Sequence, residues 1–420
     1  MNELSFMEKL LDGVEVEWKA LGAVLVRTKG TKITAGQMKV LHKKGAPVKI
    51  FAGGKTVAFV DFEDIPAKGI NRKPSVIVKS RGVIEFEYYD KPFSHKNEMW
   101  SYHANSDYIH IKFLYHFLKL NEPHFQQLGS KMQMPQIATP DTDKFLVPIP
   151  CPDNPKKSLE IQAEIVRILD AFTAMTAELT AELNLRKKQY NYYRDQLLSF
   201  EDGTTKDTKS TKNVEVEWKT LGDEDFFEVG SGGTPSKSKH EYWDNGNIPW
   251  LKSESCNNEP VYFANNFITE IGLAKSSAKL LKEKTTLIAL VGATIFKTAF
   301  LEFSAATNQN IASIKSKKPD AVNDKFVFYY ITNLYEVLKS EMRNYGMLNL
   351  TTLRQFKIPI PPPEEQSRIV AILDKFDTLT NSITEGLPRE IELRQKQYEY
   401  YRNLLLSFPQ PQTDHQGGMQ

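Results

Sequence analysis

Only two cysteines, Cys151 and Cys256, occur in 420 residues. They lie far apart in unlike contexts, so they support neither a disulfide framework nor a cysteine-based zinc cluster, and a reducing cytoplasm is the simplest setting. Long apolar runs are missing too. The longest, around Leu287 to Phe296, contains Gly292 and Thr294 and is too short to span a bilayer. The N-terminus has no basic region followed by an apolar stretch, so no membrane or export role is indicated. Catalytic signatures are equally scarce. Phe51-Ala52-Gly53-Gly54-Lys55-Thr56 resembles the end of a phosphate-binding loop but has Lys49 where that motif needs glycine. Gly230-Ser231-Gly232-Gly233 is interrupted by Pro235, which argues against a dinucleotide or methyl-donor loop. No Asn or Asp followed by Pro-Pro and an aromatic occurs, and Asp141, Asp143 and Phe145 lack the lysine of a nuclease arrangement. The eight histidines show no metal-ligand spacing. Neither catalytic nor metal-binding residues are expected.

What the chain has is internal repetition. RKKQYNYYRDQLLSF at Arg186 to Phe200 returns as RQKQYEYYRNLLLSF at Arg394 to Phe408, with 11 of 15 positions identical. VEVEWKALG at Val14 to Gly22 returns as VEVEWKTLG at Val214 to Gly222. A shorter echo, Leu4-Ser5-Phe6 against Leu198-Ser199-Phe200, precedes each of these segments. The chain reads as a cycle cut open inside a repeat, carrying two variable inserts.

The repeats divide it as follows. Residues 1–22 are the N-terminal part of the split repeat, a short helical lead (LSFMEKLL) and the strand-like VEVEW; 23–147 are the first insert domain. Residues 148–200 are a central helical spacer and 201–213 a linker without large apolar residues; 214–357 hold the second insert domain with its leading repeat segment, 358–408 a second helical spacer, and 409–420 a disordered tail. In the first insert, Thr56 to Asp61 and Pro74 to Ile84 are strand-like, and Tyr108 to Leu120 is helical, ended by Asn121 and Pro123. The second insert has the same layout, with Thr286 to Val291 as a strand and Asp324 to about Met342 as a helix. Gly82 and Asn97 stand in the first as Gly292 and Asn308 stand in the second. Both inserts are expected to share one mixed α/β fold with diverged surfaces.

Each insert closes on prolines, VPIPCP at Val147 to Pro152 and IPIPPP at Ile358 to Pro363, which end a strand and prepare a helix start; Ser158 with Glu160, and Glu364 with Glu365, supply capping and acidic groups. The arms that follow carry a coiled-coil seam: Ile161, Ile165, Ile168, Phe172, Met175 and Leu179 in the first, and Ile369, Ile372, Phe376, Leu379 and Ile383 in the second. A stutter coincides with the tandem TAELTAEL at Thr176 to Leu183. Gly386 and Pro388 predict a kink or break in the second arm. An arm from Ser158 to Phe200 would extend roughly 65 Å, and one four-residue TAEL unit would change it by about 6 Å. The expected class is α+β: two mixed α/β domains separated by two long helices forming an antiparallel coiled coil, with a pseudo-two-fold internal repeat.

The net charge of +2 conceals asymmetry. From Lys19 to Val60 there are nine Lys or Arg and no Asp or Glu, whereas Leu159 to Asp202 holds eight acids and five bases. The basic stretch can grip phosphates or be an ordinary solvated face. Tyr190, Tyr192, Tyr193 and Tyr398, Tyr400, Tyr401 can stack on bases, but their helix-face spacing favours packing against the seam or a partner protein.

These residues together resemble the specificity subunit of type I restriction-modification systems along nearly the whole chain. The resemblance rests on the paired VEVEW-LG segments, the Ile358 to Phe376 run with its counterpart at Ile165 to Phe172, and the KQY-YYR-LLSF ends. It rests also on Gly232-Gly233-Thr234-Pro235, Ile248-Pro249-Trp250 and Asn308-Gln309 of the second insert; the first insert lacks the GGTP element. The TAEL repeats and arm ends look closest to the IC subgroup. The resemblance implies that each insert is a target-recognition domain reading one half of a bipartite, asymmetric double-stranded DNA site. It implies arms that set the spacer and dock two methyltransferase subunits, with motor-nuclease subunits also bound. S-adenosylmethionine, ATP and Mg would sit on those partners and no cofactor on this chain, which would be cytoplasmic and non-catalytic. Charge and polarity nominate as DNA contacts Lys43, Lys44, Lys49, Lys55 and Arg81 in the first head, and Thr234, Lys237, Lys239, Lys252, Lys297, Asn308 and Gln309 in the second. Tyr190, Tyr193, Arg194, Tyr398, Tyr401 and Arg402 are the corresponding candidates for a subunit interface. A coiled-coil protein scaffold and an autonomous nucleic-acid enzyme are the alternatives, the first opposed by the paired basic inserts and the second by the missing motifs.

Overall fold

The computed structural model describes residues 15–131, 133–200, 216–341, 348–382 and 384–409. The expected leading helix, the linker, Val214, Ile383, Met342 and nearly all of the tail lie outside them. The described residues form two compact units, one running up to Thr180 and resuming at Glu390, the other from Ala181 to Arg389.

In the first unit VEVEW becomes β1 (Val16–Ala20), followed by β2 (Leu25–Lys29), β3 (Val48–Phe51), β4 (Val57–Val60), β5 (Ser75–Lys79), β6 (Glu85–Tyr89), β7 (Phe93–His95) and β8 (Trp100–Ala104). Helices α1 (Ile111–Leu120) and α2 (Glu122–Gly129) and strand β9 (Leu146–Pro150) lead into α3 (Pro155–Leu197). Strands order as β2-β8-β5-β6 and β4-β3-β7, and β1 pairs antiparallel with β9, setting Trp18 opposite Pro148. Helix α1 begins at Ile111, three residues later than its apolar pattern starts: Tyr108 lies in a turn and His110 is extended, and the Gln162 side chain on the arm bonds the Tyr108 carbonyl and the His110 amide.

The second unit repeats the plan with β10 (Glu217–Thr220), β11 (Phe227–Ser231), β12 (Ile248–Leu251), β13 (Glu259–Val261), β14 (Phe267–Ile268), β15 (Leu280–Leu281), β16 (Thr286–Ala289), β17 (Thr298–Leu301), β18 (Ala305–Thr307) and β19 (Ile311–Ser316). After them come α4 (Asp324–Asn333), α5 (Tyr335–Glu341), β20 (Lys357–Ile360), α6 (Pro363–Asn381) and α7 (Gly386–Leu405). The order β11-β19-β16-β17 reproduces β2-β8-β5-β6, with β13 added on the β17 edge. Strands β12 and β18 run parallel as β3 and β7 do, and β10 pairs with β20 so that Trp218 faces Pro359. The two inserts share one topology, with β15 on the β18 edge a further addition in the second. The single helix expected from Asp324 is two helices divided at Leu334, where the Thr332 hydroxyl turns back to the Phe328 carbonyl.

The proline strands end where expected, but Asn154, not Ser158, caps α3: its Oδ1 accepts from the Lys157 amide at 3.1 Å. Ser158 is buried one turn inside, and its hydroxyl accepts from Gln162. Helix α3 is 43 residues long and passes unbroken through the TAEL repeats. The second arm is interrupted between α6 and α7, as Gly386 and Pro388 foretell. Gly386 has φ +76°, and a Cβ there would collide with the Thr378 and Leu379 carbonyls.

Arm and head share a core in each unit. Ile161, Ile165, Val166 and Leu169 of α3 join Phe113, Phe117 and Leu118 of α1, together with Leu405, Leu406 and Phe408 at the end of α7. In the second unit Ile369 and Leu373 of α6 join Phe326 and Tyr330 of α4, with Leu198. Burying side chains of this size contributes about 1.5–3 kcal/mol each, so the helical arm is part of the head's fold. The burial is broader than a two-position seam near the head and thins along the arm, where Met175 is exposed.

Candidate nucleic-acid interface

In the second unit, three segments far apart in sequence meet at the parallel β12/β18 pair, where Trp250 lies opposite Ala306 and Leu251 opposite Thr307. The chain leaving β11 crosses them: the Gly233 amide donates to the Thr307 carbonyl at 2.8 Å, and the Trp250 indole donates to the Gly233 carbonyl at 3.1 Å. Side chains at Gly232 and Gly233 would strike the Thr307 and Ser277 backbone, so the crossing needs both glycines. It brings the Thr234 hydroxyl onto Gln309 Oε1. Asn308 is anchored by its amide to the Leu251 carbonyl at 2.9 Å, and its Oδ1 accepts from the Asn310 amide. Lys252 follows Leu251 directly. The hairpin between β16 and β17 is tied on by the Thr294 hydroxyl, which donates to the Ser253 carbonyl at 2.9 Å.

Thr234, Lys252 and Gln309 are therefore gathered on one rim, with Asn308 buried beneath it. Thr234 fixes the Gln309 carbonyl oxygen, leaving an exposed amide N–H₂ as a directed donor. A fixed amide beside an amine is chemistry that can read a base edge and hold a phosphate.

The first unit builds the same crossing without GGTP. The Thr31 amide donates to the His95 carbonyl at 2.7 Å, the Lys96 amide donates to the Phe51 carbonyl at 3.0 Å, and a Cβ on Gly30 would collide with the Lys96 carbonyl. Strand β3 runs parallel to β7 with Phe51 opposite His95. Gly30 and Thr31 thus stand where Gly232 and Gly233 stand. Lys96, and not Asn97, occupies the place of Asn308, and Lys32 that of Thr234. Sequence comparison misses this because the shared features are two backbone hydrogen bonds and one close approach.

The remaining nominated residues separate by what their side chains touch. Lys43 Nζ pairs with Asp61 at 2.7 Å and Asp64 at 3.1 Å. The hydrogen bonds it donates to these carboxylates, Asp61 first, raise its pKa above the ordinary lysine value. Lys49 pairs with Glu87 at 3.2 Å and lies over the rings of Phe51 and Tyr89. Lys44 and Lys55 are exposed with no ion-pair partner among the described residues. Arg81 is exposed, with its Nε on the Met134 sulfur at 3.2 Å. Lys239 donates to the Tyr242 hydroxyl at 2.9 Å, while Lys237 is exposed. Lys297 is half-buried at the base of its hairpin, and its charge acts on Glu259, whose pKa is raised mainly by burial.

On the arms, Tyr193 stacks on Phe376 and Tyr401 on Phe172. Tyr190 packs beside Phe376, and burial pushes its hydroxyl up to about 12. The Arg194 and Arg402 guanidinium carbons lie 5.7 Å from the rings of Tyr190 and Tyr398. Tyr192 and Tyr400 are the most exposed of these rows, at 59% and 64%.

Among the described residues, no group of three or more His, Cys, Asp or Glu side chains is placed to hold a metal, and no helix is long and apolar enough to cross a membrane. Cys256 is buried, which pushes its thiol up to about 12 and keeps it from acting as a thiolate nucleophile.

Residues 39–186 and 215–393 each match the family model described as the type I restriction modification DNA specificity domain. The chain is 42% identical to the type I restriction enzyme EcoR124I/EcoR124II specificity subunit of Escherichia coli, with 98% of this chain and 99% of that protein aligned. It is 33% identical to the EcoprrI specificity subunit of the same species, over 92% and 93% of the two chains. Its fold is similar to the crystal structure of the type I restriction-modification S subunit from M. genitalium, with a TM-score of 0.60, 15% identity, and 95% and 98% of the chains covered.

Proposed function

The chain belongs to the type I restriction modification DNA specificity family, and from that membership we propose that its two heads read the two halves of one asymmetric double-stranded DNA site for partners that perform the chemistry. It is a non-catalytic specificity subunit. The reading is carried above all by one backbone crossing used in both units with different side chains around its rim, Thr234, Asn308 and Gln309 in one and Lys32, Lys96 and Asn97 in the other. A common scaffold with unlike rims suits two ligands of one kind.

Residues 23–147 and 214–357 are the two target-recognition domains in this account, and 148–200 and 358–408 the spacers. Lys44, Lys55, Arg81, Lys237, Lys252 and Lys297 serve phosphates, Thr234 and Gln309 serve bases, and Asn308, buried beneath them, shapes the loop that carries Gln309. Lys43, Lys49 and Lys239 contribute to DNA binding only by exchanging present partners for phosphate. The faces around Tyr190, Tyr193, Arg194, Tyr398, Tyr401 and Arg402 dock two methyltransferase subunits, which carry S-adenosylmethionine, and the complex recruits motor-nuclease subunits using ATP and Mg. The setting in this account is the cytoplasm, and the TAEL repeats and arm ends support a place in the IC subgroup.

Methylation mapping by single-molecule sequencing tests this in cells expressing the chain with its cognate methyltransferase subunit, against a control without the chain. A bipartite adenine motif present only with the chain is the expected result. An unchanged pattern without it would remove the specificity role.

A further inference from the structure

Both heads are tied to their arms by the same set of polar bonds. Gln162 on α3 is fully buried; its Oε1 accepts from the His110 amide at 2.9 Å and its Nε2 donates to the Tyr108 carbonyl at 3.0 Å. Gln366 on α6, also fully buried, accepts from the Asn323 amide at 2.8 Å and donates to the Ala321 carbonyl at 2.8 Å. In each unit the amide grips the residue just before the head helix and the one two positions earlier. Eight residues along each arm stands an aspartate. Asp170 meets Lys112 Nζ at 2.6 Å and His116 Nε2 at 3.2 Å; Asp374 meets Lys325 Nζ at 3.1 Å and the Tyr329 hydroxyl at 2.6 Å. The partners are the second and sixth residues of α1 and of α4.

Two fixed points on one helix determine both its translation along a neighbour and its crossing angle. Apolar packing between the same helices supplies stability but tolerates alternative seatings, whereas a polar bond is satisfied in one register only. The buried amides gain little net stability over apolar residues of the same volume, and the aspartate pairs, with Asp170 and Asp374 36% and 38% exposed, are screened by solvent, which leaves the fixing of geometry as the role to test. The His/Tyr exchange at the sixth position keeps the bond to the aspartate while the chemistry of the donor changes.

We propose that Gln162 with Asp170, and Gln366 with Asp374, are positioning residues that lock the pose of each head on its arm and thereby set how strictly the spacer between the half-sites is enforced. This rests on the bipartite-site reading above and deepens it: helix length sets the mean spacer, and the polar lock sets its tolerance. A head free to rock on its arm reads the same bases at altered separation.

The test is methylation mapping in cells expressing the full chain with its methyltransferase subunit, comparing wild type with Asp374→Asn, Gln366→Leu and the milder Tyr329→Phe, each complex also measured for thermal stability. The wild type is expected to give one bipartite motif with one spacer length. The variants are expected to keep both half-sites and to methylate sites one base pair longer or shorter at least about tenfold above the wild-type level, the ratio corresponding to 1.4 kcal/mol of lost discrimination. Tyr329→Phe removes a hydroxyl only and is expected to show the effect with little loss of stability. A wild-type spacer spectrum in all three, whether or not stability falls, would overturn the proposal by leaving these residues a packing role. A wild type without any bipartite motif would instead overturn the function on which it rests.

Discussion

Tyr401 stacks on Phe172, ring centroids 5.2 Å apart and planes 19° from parallel. In the second unit Tyr193 stacks on Phe376 at 5.9 Å and 28°. Tyr401 and Tyr193 hold the same place in the repeated YYR segment, and Phe172 and Phe376 the same place in the two seams. Each contact joins a segment ending in LLSF to the arm beside its head. Replacing Tyr401 or Tyr193 by alanine is expected to destabilise its own unit by about 1 kcal/mol, because such ring pairs contribute about 0.5–1.5 kcal/mol beyond area and both rings are partly exposed. Thermal denaturation of the full chain with its methyltransferase subunit measures it, and equal shifts for the two variants are expected.

Gly232→Ala and Gly30→Ala place a methyl group against the Thr307 and Lys96 carbonyls, respectively. Each is expected to cost about 1–3 kcal/mol by overpacking and to abolish binding to its own half-site. Filter binding with duplexes carrying one half-site at a time reads this, and loss confined to one half in each variant is expected.

Gln309→Ala removes a directed amide whereas Lys55→Gln removes an unpaired charge. The first is expected to lose about 1–3 kcal/mol of discrimination at one base pair. The second is expected to weaken all duplexes alike and to lower the salt slope by about one counterion. Titrations at several salt concentrations on cognate and single-mismatch sites distinguish the two behaviours.

The first unit should lose stability in mild acid. His95 and His116 are buried, and that burial holds both below the ordinary histidine value of 6.5, although Asp170 pulls His116 the other way. The unfolded chain takes up protons at 6.5 while the folded unit resists, so the full stability is present above 6.5 and falls as pH drops toward the depressed folded values. Protection from hydrogen exchange in the first unit, measured relative to the intrinsic exchange rate at each pH, should fall between pH 7 and about pH 5.5. His116→Gln, which retains a donor for Asp170, should lessen the change; an identical pH profile in the variant would argue against the assignment.

Much of this organisation is legible in the residues. The duplicated ends give the two units, the apolar steps of three and four give the arms, and Gly386 with Pro388 marks the interruption between α6 and α7. Thr234, Lys252 and Gln309 are nominated from segments up to 75 residues apart and meet on one rim, with Asn308 buried beneath it. Other features are hidden because they live in tertiary structure. The acid-free stretch from Lys19 to Val60 looks wholly available for phosphate, yet Asp61 and Asp64 begin just past its edge and take up Lys43, and Glu87 takes up Lys49. Charge counted along a chain does not see cross-strand neighbours. Tyr108 and His110 fit the helical pattern, but a glutamine 52 residues away from His110 bonds its amide and the Tyr108 carbonyl and keeps that segment out of the helix.

The antiparallel pairs β1 with β9 and β10 with β20 bring the entry and exit of each head side by side, register matched, with tryptophan facing proline in both. A gene segment encoding everything between such a pair can be exchanged for another whose flanks encode the same two short strands and whose head helix keeps the same arm-facing residues, and the joints then fall on a ladder that the insert rebuilds. Recombination at these flanks would replace one head in a single event while keeping the strand ladder that joins it to its arm.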